Sequence, residues 1–136
     1  MIITRASSRI AFGKPLGAQG MVQEAIALSR CEIEQARLLT LDAAAQLDAL
    51  GNKGAKDAIG MIKIVAPRMA CNVVDRAIQI HGAGGLADPF LSAAYTGARC
   101  LRLADGPDEV HIASLAKGML KAAAGGSERK ENKHGH

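Results

Sequence analysis

Three short segments of the chain combine residue types that binding and catalysis use: Arg9-Ile-Ala-Phe-Gly13, Gln79-Ile-His-Gly-Ala-Gly-Gly85 and Ala104-Asp-Gly-Pro-Asp-Glu-Val-His111. In the first, a guanidinium at the exit of a helix can fork onto phosphate oxygens, with the large apolar side chain of Phe12 close behind it. A surface arginine followed by a buried anchor reads equally well. The second sets the amide of Gln79 at a helix end, ahead of backbone bare enough for another molecule to approach closely. Its glycines follow a helix, not a strand, and lack the spacing of a dinucleotide fingerprint, so a plain glycine-rich helix stop competes with a binding role. His81 reads first as a loop histidine satisfied by its surroundings. The third segment places Asp105 just outside a helix, with Asp108 and Glu109 in the first turn. Carboxylates there complement the helix dipole, and Asp ahead of Gly-Pro is a common cap arrangement. His111, three residues after Asp108, is placed as that carboxylate's partner. It is not expected to bind metal, because no other His or Cys stands at ligand spacing.

The elements that must position these segments are helical. A chain of 136 residues with 49% hydrophobic and 22% charged residues has the length and composition of one globular domain. Phe12, Phe90 and Tyr95 are its only aromatic residues, so the core is aliphatic, and the abundant alanine favours helix. Val22, Ile26, Ser29, Ile33, Ala36, Thr40, Ala43, Leu47 and Leu50 step by four and three alternately, which is one stripe of a long helix. Gly51-Asn52 supplies the stop. A second stripe, Ile59, Ile62, Ala66, Met69, Val73, Ala77 and Ile80, predicts a partner helix to His81, with a kink at Pro67. Gly82, Gly84 and Gly85 are expected to break the chain outright. Asp88-Pro89 opens a short third helix carrying Phe90, Ala94, Ala98 and Leu101, and Pro107 opens a fourth through Val110, Ala113, Met119 and Leu120. Residues 10–20, with three glycines and Pro15, are expected to form a loop after an earlier helix. The expectation is an all-α, four-helix up-and-down bundle over residues 1–124, followed by a disordered polar tail at 125–136.

Several function classes are excluded by composition. The net charge of +4 comes from basic residues interleaved with acidic ones, the pattern of solvated helix faces, without the aromatic platform or basic stripe that nucleic-acid binding needs. No apolar run is long enough for a membrane span. Cys31, Cys71 and Cys100 are odd in number and widely spaced, which predicts free thiols in an intracellular, reducing compartment.

In this order the segments resemble a known family. Arg9-x-x-Phe12-Gly13-Lys14-Pro15-Leu16, a long helix with Glu34 and Ala36-Arg37, Ala77-Ile-Gln-Ile-His-Gly82, and an acidic-Gly pair after an Arg99-containing helix resemble the C-terminal domain of acyl-CoA dehydrogenases. Residues 104–111 look especially like the subgroup whose large members carry a phosphotransferase-like kinase domain. The resemblance implies FAD, with Arg9, Phe12 and Gln19 meeting a flavin held mainly by a neighbouring subunit. Gln79, Ile80, His81, Gly82 and Ala83 would meet its adenosine end. It implies Asp105 as the base, in the place of the family's usual glutamate, with Gly106 against substrate and Pro107, Asp108 and Glu109 beside the cofactor. It further implies an acyl-CoA substrate, a homodimer or homotetramer, and helical and β-domains ahead of this one, on a longer chain or a partner. The compartment implied is the cytoplasm of a bacterium, or a mitochondrion or peroxisome. The rival expectation is a non-catalytic helical module that keeps only the family's oligomerisation surface.

Overall fold

The computed structural model describes the backbone of residues 1–131 and the side chains of residues 1–124. The elements run α1 (Ile2–Ser8), β1 (Ile10–Ala11), β2 (Lys14–Pro15), a 3-10 turn (Leu16–Ala18), α2 (Gly20–Gly54), α3 (Lys56–His81), α4 (Ala83–Ala87), α5 (Pro89–Leu101) and α6 (Asp108–Glu131). The expected all-α class holds. The supposed loop at 10–20 contains a two-residue hairpin, with Ala11 paired to Lys14. α6 runs on past Gly125, beyond the boundary placed at residue 124, to Glu131. The expected tail lies outside the described residues from 132 onward.

α2 keeps its apolar stripe. Val22, Ser29, Ala36 and Ala43, its buried residues, recur every seven positions along one line. Gly51 breaks the helix where the stop was expected, with φ 66° and ψ 179°, and fully buried Ala55 fills the corner before α3. α3 differs from its expected stripe. Ala58, Pro67 and Cys71 are buried off that line, and Ile59 is exposed. The reason is that α3 is central: α2, α5 and α6 all pack on it, so it buries more than one face. Pro67 is accommodated inside the continuous α3, where it is buried.

The break after α3 needs only Gly82, at φ 67° and ψ −147°; the expected outright rupture by Gly84 and Gly85 is replaced by the short α4. A Cβ on Gly85 would lie 2.6 Å from the Ile78 carbonyl oxygen, so the glycine is there for close approach. Asp88 caps α5 as its Oδ1 accepts from the amides of Phe90 (2.9 Å) and Leu91 (3.0 Å), with Pro89 in the first turn. The buried face of α5 is Leu91 and Ala98; Phe90 and Leu101 point outward. Val110, Met119 and Leu120 of α6 are likewise exposed.

α2 and α3 are joined by a two-pronged ion pair. Arg76 donates from its two terminal nitrogens to Glu32, at 2.9 and 2.6 Å. These bonds, opposed by burial and aided by the guanidinium charge, hold the Glu32 carboxyl below the ordinary glutamate value. Both side chains are about three-quarters covered (23% and 26% exposed), so loss of one leaves the other poorly hydrated. Arg76→Gln is therefore expected to lower stability by about 1–2 kcal/mol at neutral pH. Because the folded carboxyl titrates below the unfolded one, the pair's contribution is complete above about pH 4.3 and fades as pH falls through the lowered native value. Thermal unfolding of both proteins across that range should show the gap narrowing in acid. A gap independent of pH would remove this pair from the stability of the fold.

Candidate functional site

Asp105 sits in the turn between α5 and α6. Its φ of 53° and that of Gly106, 100°, are both left-handed. For an aspartate that backbone is uncommon and costs free energy unless its surroundings hold it. The carboxylate is exposed and makes no hydrogen bond among the described residues, so the cap expected of it is absent. Asp105 is one of the residues lining a cleft of about 510 Å³ between α3 and α6. Ile59, Val110 and Leu115 give that cleft apolar wall, and Lys56, Asp57 and His111 give it polar rim. The cleft can take a chain-like apolar group and bring its neighbouring carbon to a carboxylate.

Two neighbours differ from expectation. The side chain of Asp108, expected beside the cofactor, turns inward, 2% exposed, onto Arg68 and Arg102. Its carboxylate is turned away from the surface, because two partly exposed guanidiniums reach in to pair with it. His111 meets the Asp105 carbonyl through Nε2 at 3.2 Å, not the Asp108 carboxylate. Pro107 precedes the first helical residue by one, and Glu109 is exposed in the first turn of α6. Gly106 is packed beneath the His111 ring: a Cβ there would come 3.2 Å from Nε2.

Arg9 and Phe12 lie on the hairpin that follows α1. Arg9 is the C-cap residue of α1 and is exposed, without an ion pair among the described residues. Phe12 is not a buried anchor. It is 95% exposed, at φ 55°, followed by Gly13 at φ 78°, the two-residue pattern of a type I′ turn between the Ala11–Lys14 pair. Gln19 stands at the N-cap position of α2 without capping it by its side chain.

The third segment closes α3. Gln79 is exposed in the last turn, Ile80 is half-buried, and His81 Nδ1 bonds the Ala77 carbonyl at 2.7 Å, the satisfied arrangement expected of a loop histidine. Gly82 and Ala83 are exposed at the α3–α4 corner. None of Arg9, Phe12, Gln19 or Gln79–Ala83 lines the Asp105 cleft. Sequence reasoning missed Arg68 and Arg102 altogether. Their partner is 40 and 6 residues away, and neither stands in a motif.

The domain is thus predominantly helical, with a left-handed acidic turn beside a cleft and exposed guanidinium and aromatic groups at a separate hairpin. Residues 1–120 match the family model for the acyl-CoA dehydrogenase C-terminal domain, and the chain belongs to that family. It is 53% identical over 121 residues to "Probable acyl-CoA dehydrogenase FadE2" of Mycobacterium tuberculosis, covering 88% of this chain and 30% of that protein. It is 57% identical over 119 residues to mouse acyl-CoA dehydrogenase family member 10, covering 87% of this chain and 11% of that one. Among solved structures, butyryl-CoA dehydrogenase of Megasphaera elsdenii superposes with TM-score 0.75 at 25% identity, over 88% of this chain and 31% of that one. The FAD complex of PigA shares the fold at TM-score 0.79 and 23% identity, over 87% and 30%. The chain thus spans less than a third of the curated relatives it matches.

The exposed left-handed Phe12 gives a prediction of unusual sign. Asn-Gly is the preferred pair for a type I′ turn, so Phe12→Asn should stabilise this chain by about 0.5–1 kcal/mol while removing the aromatic contact surface. Denaturant unfolding measures this directly, and a loss of stability would mean that Phe12 is held by packing within the chain.

Proposed function

We propose that the chain supplies the C-terminal part of an FAD-dependent acyl-CoA dehydrogenase, converting an acyl-CoA to its 2-enoyl-CoA, with Asp105 as the base. The carrying observation is that Asp105, whose carboxylate makes no hydrogen bond among the described residues, lines a partly apolar cleft from a left-handed turn. Strain of that kind gathers where a side chain must be aimed.

The chemistry follows from a thioester's weakly acidic α-carbon. Asp105 takes the α-proton, and becomes a neutral acid, as the Cα–Cβ double bond forms. Bound flavin supplies the acceptor for the hydride that leaves Cβ. Substrate filling the cleft removes water from the carboxylate and raises its basicity. Aspartate is one methylene shorter than the family's usual glutamate, so the α-carbon must lie nearer the backbone of the Asp105–Gly106 turn. Pro107 brings no hydroxyl to the place where the family usually has threonine.

The residues offered to a cofactor fit one edge of it. Arg9 presents a charged fork suited to a pyrophosphate, Phe12 an aromatic face, and the Gln79 amide with the bare Gly82–Ala83 backbone suits the polar edge of an adenosine. Glu109 lies exposed nearby in sequence to Asp105; Gln19 and His81 have weaker claims, being partly covered. All are surface groups, so the remainder of the cofactor must be held by another body. We read that body as further domains of the same protein and a second subunit in a homodimer or homotetramer. Supporting this are the relatives' greater length and the exposed apolar side chains Leu28, Leu38 and Leu41 along α2. The 57% identity to family member 10 over 11% of its length supports a place in a much longer protein.

The test is Asp105→Asn in the complete flavin-loaded enzyme. The carboxamide keeps the shape and cannot accept the proton, so turnover should fall by about 10²–10⁴-fold with flavin content and thermal stability unchanged. Asp105→Glu should retain measurable activity. Turnover of Asp105→Asn within a few-fold of the parent would rule out the base assignment.

A further inference from the structure

We propose that Asp108 is the positioning residue of the Asp105 turn: clamped by Arg68 and Arg102, it holds the left-handed Asp105–Gly106 backbone in place from behind. The functional consequence rests on the reading of Asp105 as base; the mechanical claim does not.

Apart from the contact of His111 Nε2 with the Asp105 carbonyl at 3.2 Å, made from the outer side, the turn has no side-chain bond of its own among the described residues. The Asp105 carboxylate makes no local bond that would draw its own backbone into the left-handed region. Three backbone bonds shape the segment: Leu103 and Ala104 both donate to the Cys100 carbonyl at 2.9 Å, and the Asp108 amide donates back to the Arg102 carbonyl at 3.1 Å. The Asp108 side chain then repeats that closure with charge. Its Oδ2 accepts from Arg102 Nε at 2.8 Å and from Arg68 Nε at 2.9 Å. Arg102 is the C-cap of α5 and Asp108 the first residue of α6, so one carboxylate ties together the two ends of the loop that carries Asp105. Arg68 fastens the tie to the central helix. A turn before it on α3, the Lys63 ammonium donates to the Leu101 carbonyl, and a turn after it the buried Cys71 thiol lies beside Arg102.

The chemistry of the clamp suits a mechanical role. Burial disfavours the Asp108 charge, and the bonds from the two guanidiniums outweigh it, keeping the carboxyl below the ordinary aspartate range and ionised at neutral pH. Removing the anion leaves two guanidiniums facing one another at the foot of the turn.

Amide hydrogen exchange on the 136-residue chain tests the claim. In Asp108→Asn, the amides of Ala104 and of position 108 should exchange at least about tenfold faster relative to core amides such as Ala36 and Ala77. Arg76→Gln, which breaks an ion pair remote from the turn, should speed all of them in proportion. Proportional change in Asp108→Asn as well would overturn the inference, leaving only a contribution to global stability. Should that variant not fold, Arg68→Lys, at a position partly open to solvent, should show the same selective loosening to a smaller degree, and its absence counts equally against. In the complete enzyme, Asp108→Asn should lower kcat by about 10- to 100-fold with flavin content unchanged, and should add nothing to Asp105→Asn in the double variant. Additive losses would mean that Asp108 does not act through Asp105. Full turnover by Asp105→Asn would instead sink the base assignment while leaving the exchange result to judge the clamp.

Discussion

The close approach of α2 to α3 along a line of small side chains is the constraint from which the rest of the molecule follows. Val22, Ser29, Ala36 and Ala43, the buried residues of α2, recur at seven-residue intervals, and three of these four are no larger than serine. Small contact residues let helix axes run near one another over a long distance, but they leave little volume for a thick core. Much apolar surface therefore remains outside, on α2, α5 and α6. α3 answers by becoming the axis, with helices on several sides instead of one. The domain is thus organised around a helix, not around a central cluster of large side chains, and Leu91 is the largest fully buried residue among those described.

With so few large apolar groups inside, charge takes over at the junctions. Glu32 and Arg76 tie α2 to α3, and Asp108 ties α3, α5 and α6 through Arg68 and Arg102. Both involve arginine, whose planar fork loses less freedom per bond than a lysine would. The second junction lies directly under the turn that displays Asp105. The same small-residue core that thins the interior leaves the cleft between α3 and α6 open above it.

How much of this could be read in the residues depends on how far apart the causes lie in the chain. The stripe of α2, its stop at Gly51 and the Asp88-Pro89 cap are local effects of periodicity, backbone freedom and side-chain reach, and each was legible. The α3 stripe was misplaced because a central helix has no single polar face to mark its register. α4 was hidden by its glycines, whose purpose at Gly85 is contact with Ile78 and not chain breaking. The acidic turn was visible as a motif, yet the orientation of Asp108 depends on Arg68, 40 residues away, which no spacing rule connects to it. The pairing of His111 with Asp105's carbonyl was likewise set by a left-handed backbone that sequence alone does not announce.

The clamp also differs from the helical pair in how it is closed. Pairing of α2 with α3 can spread outward from the corner at Gly51–Ala55, each contact closing only a short further loop. No such ladder leads to Asp108. Its bonds require α3, the end of α5 and the start of α6 to be in place together. The turn that bears Asp105 is therefore fixed only by the joint placement of three helices.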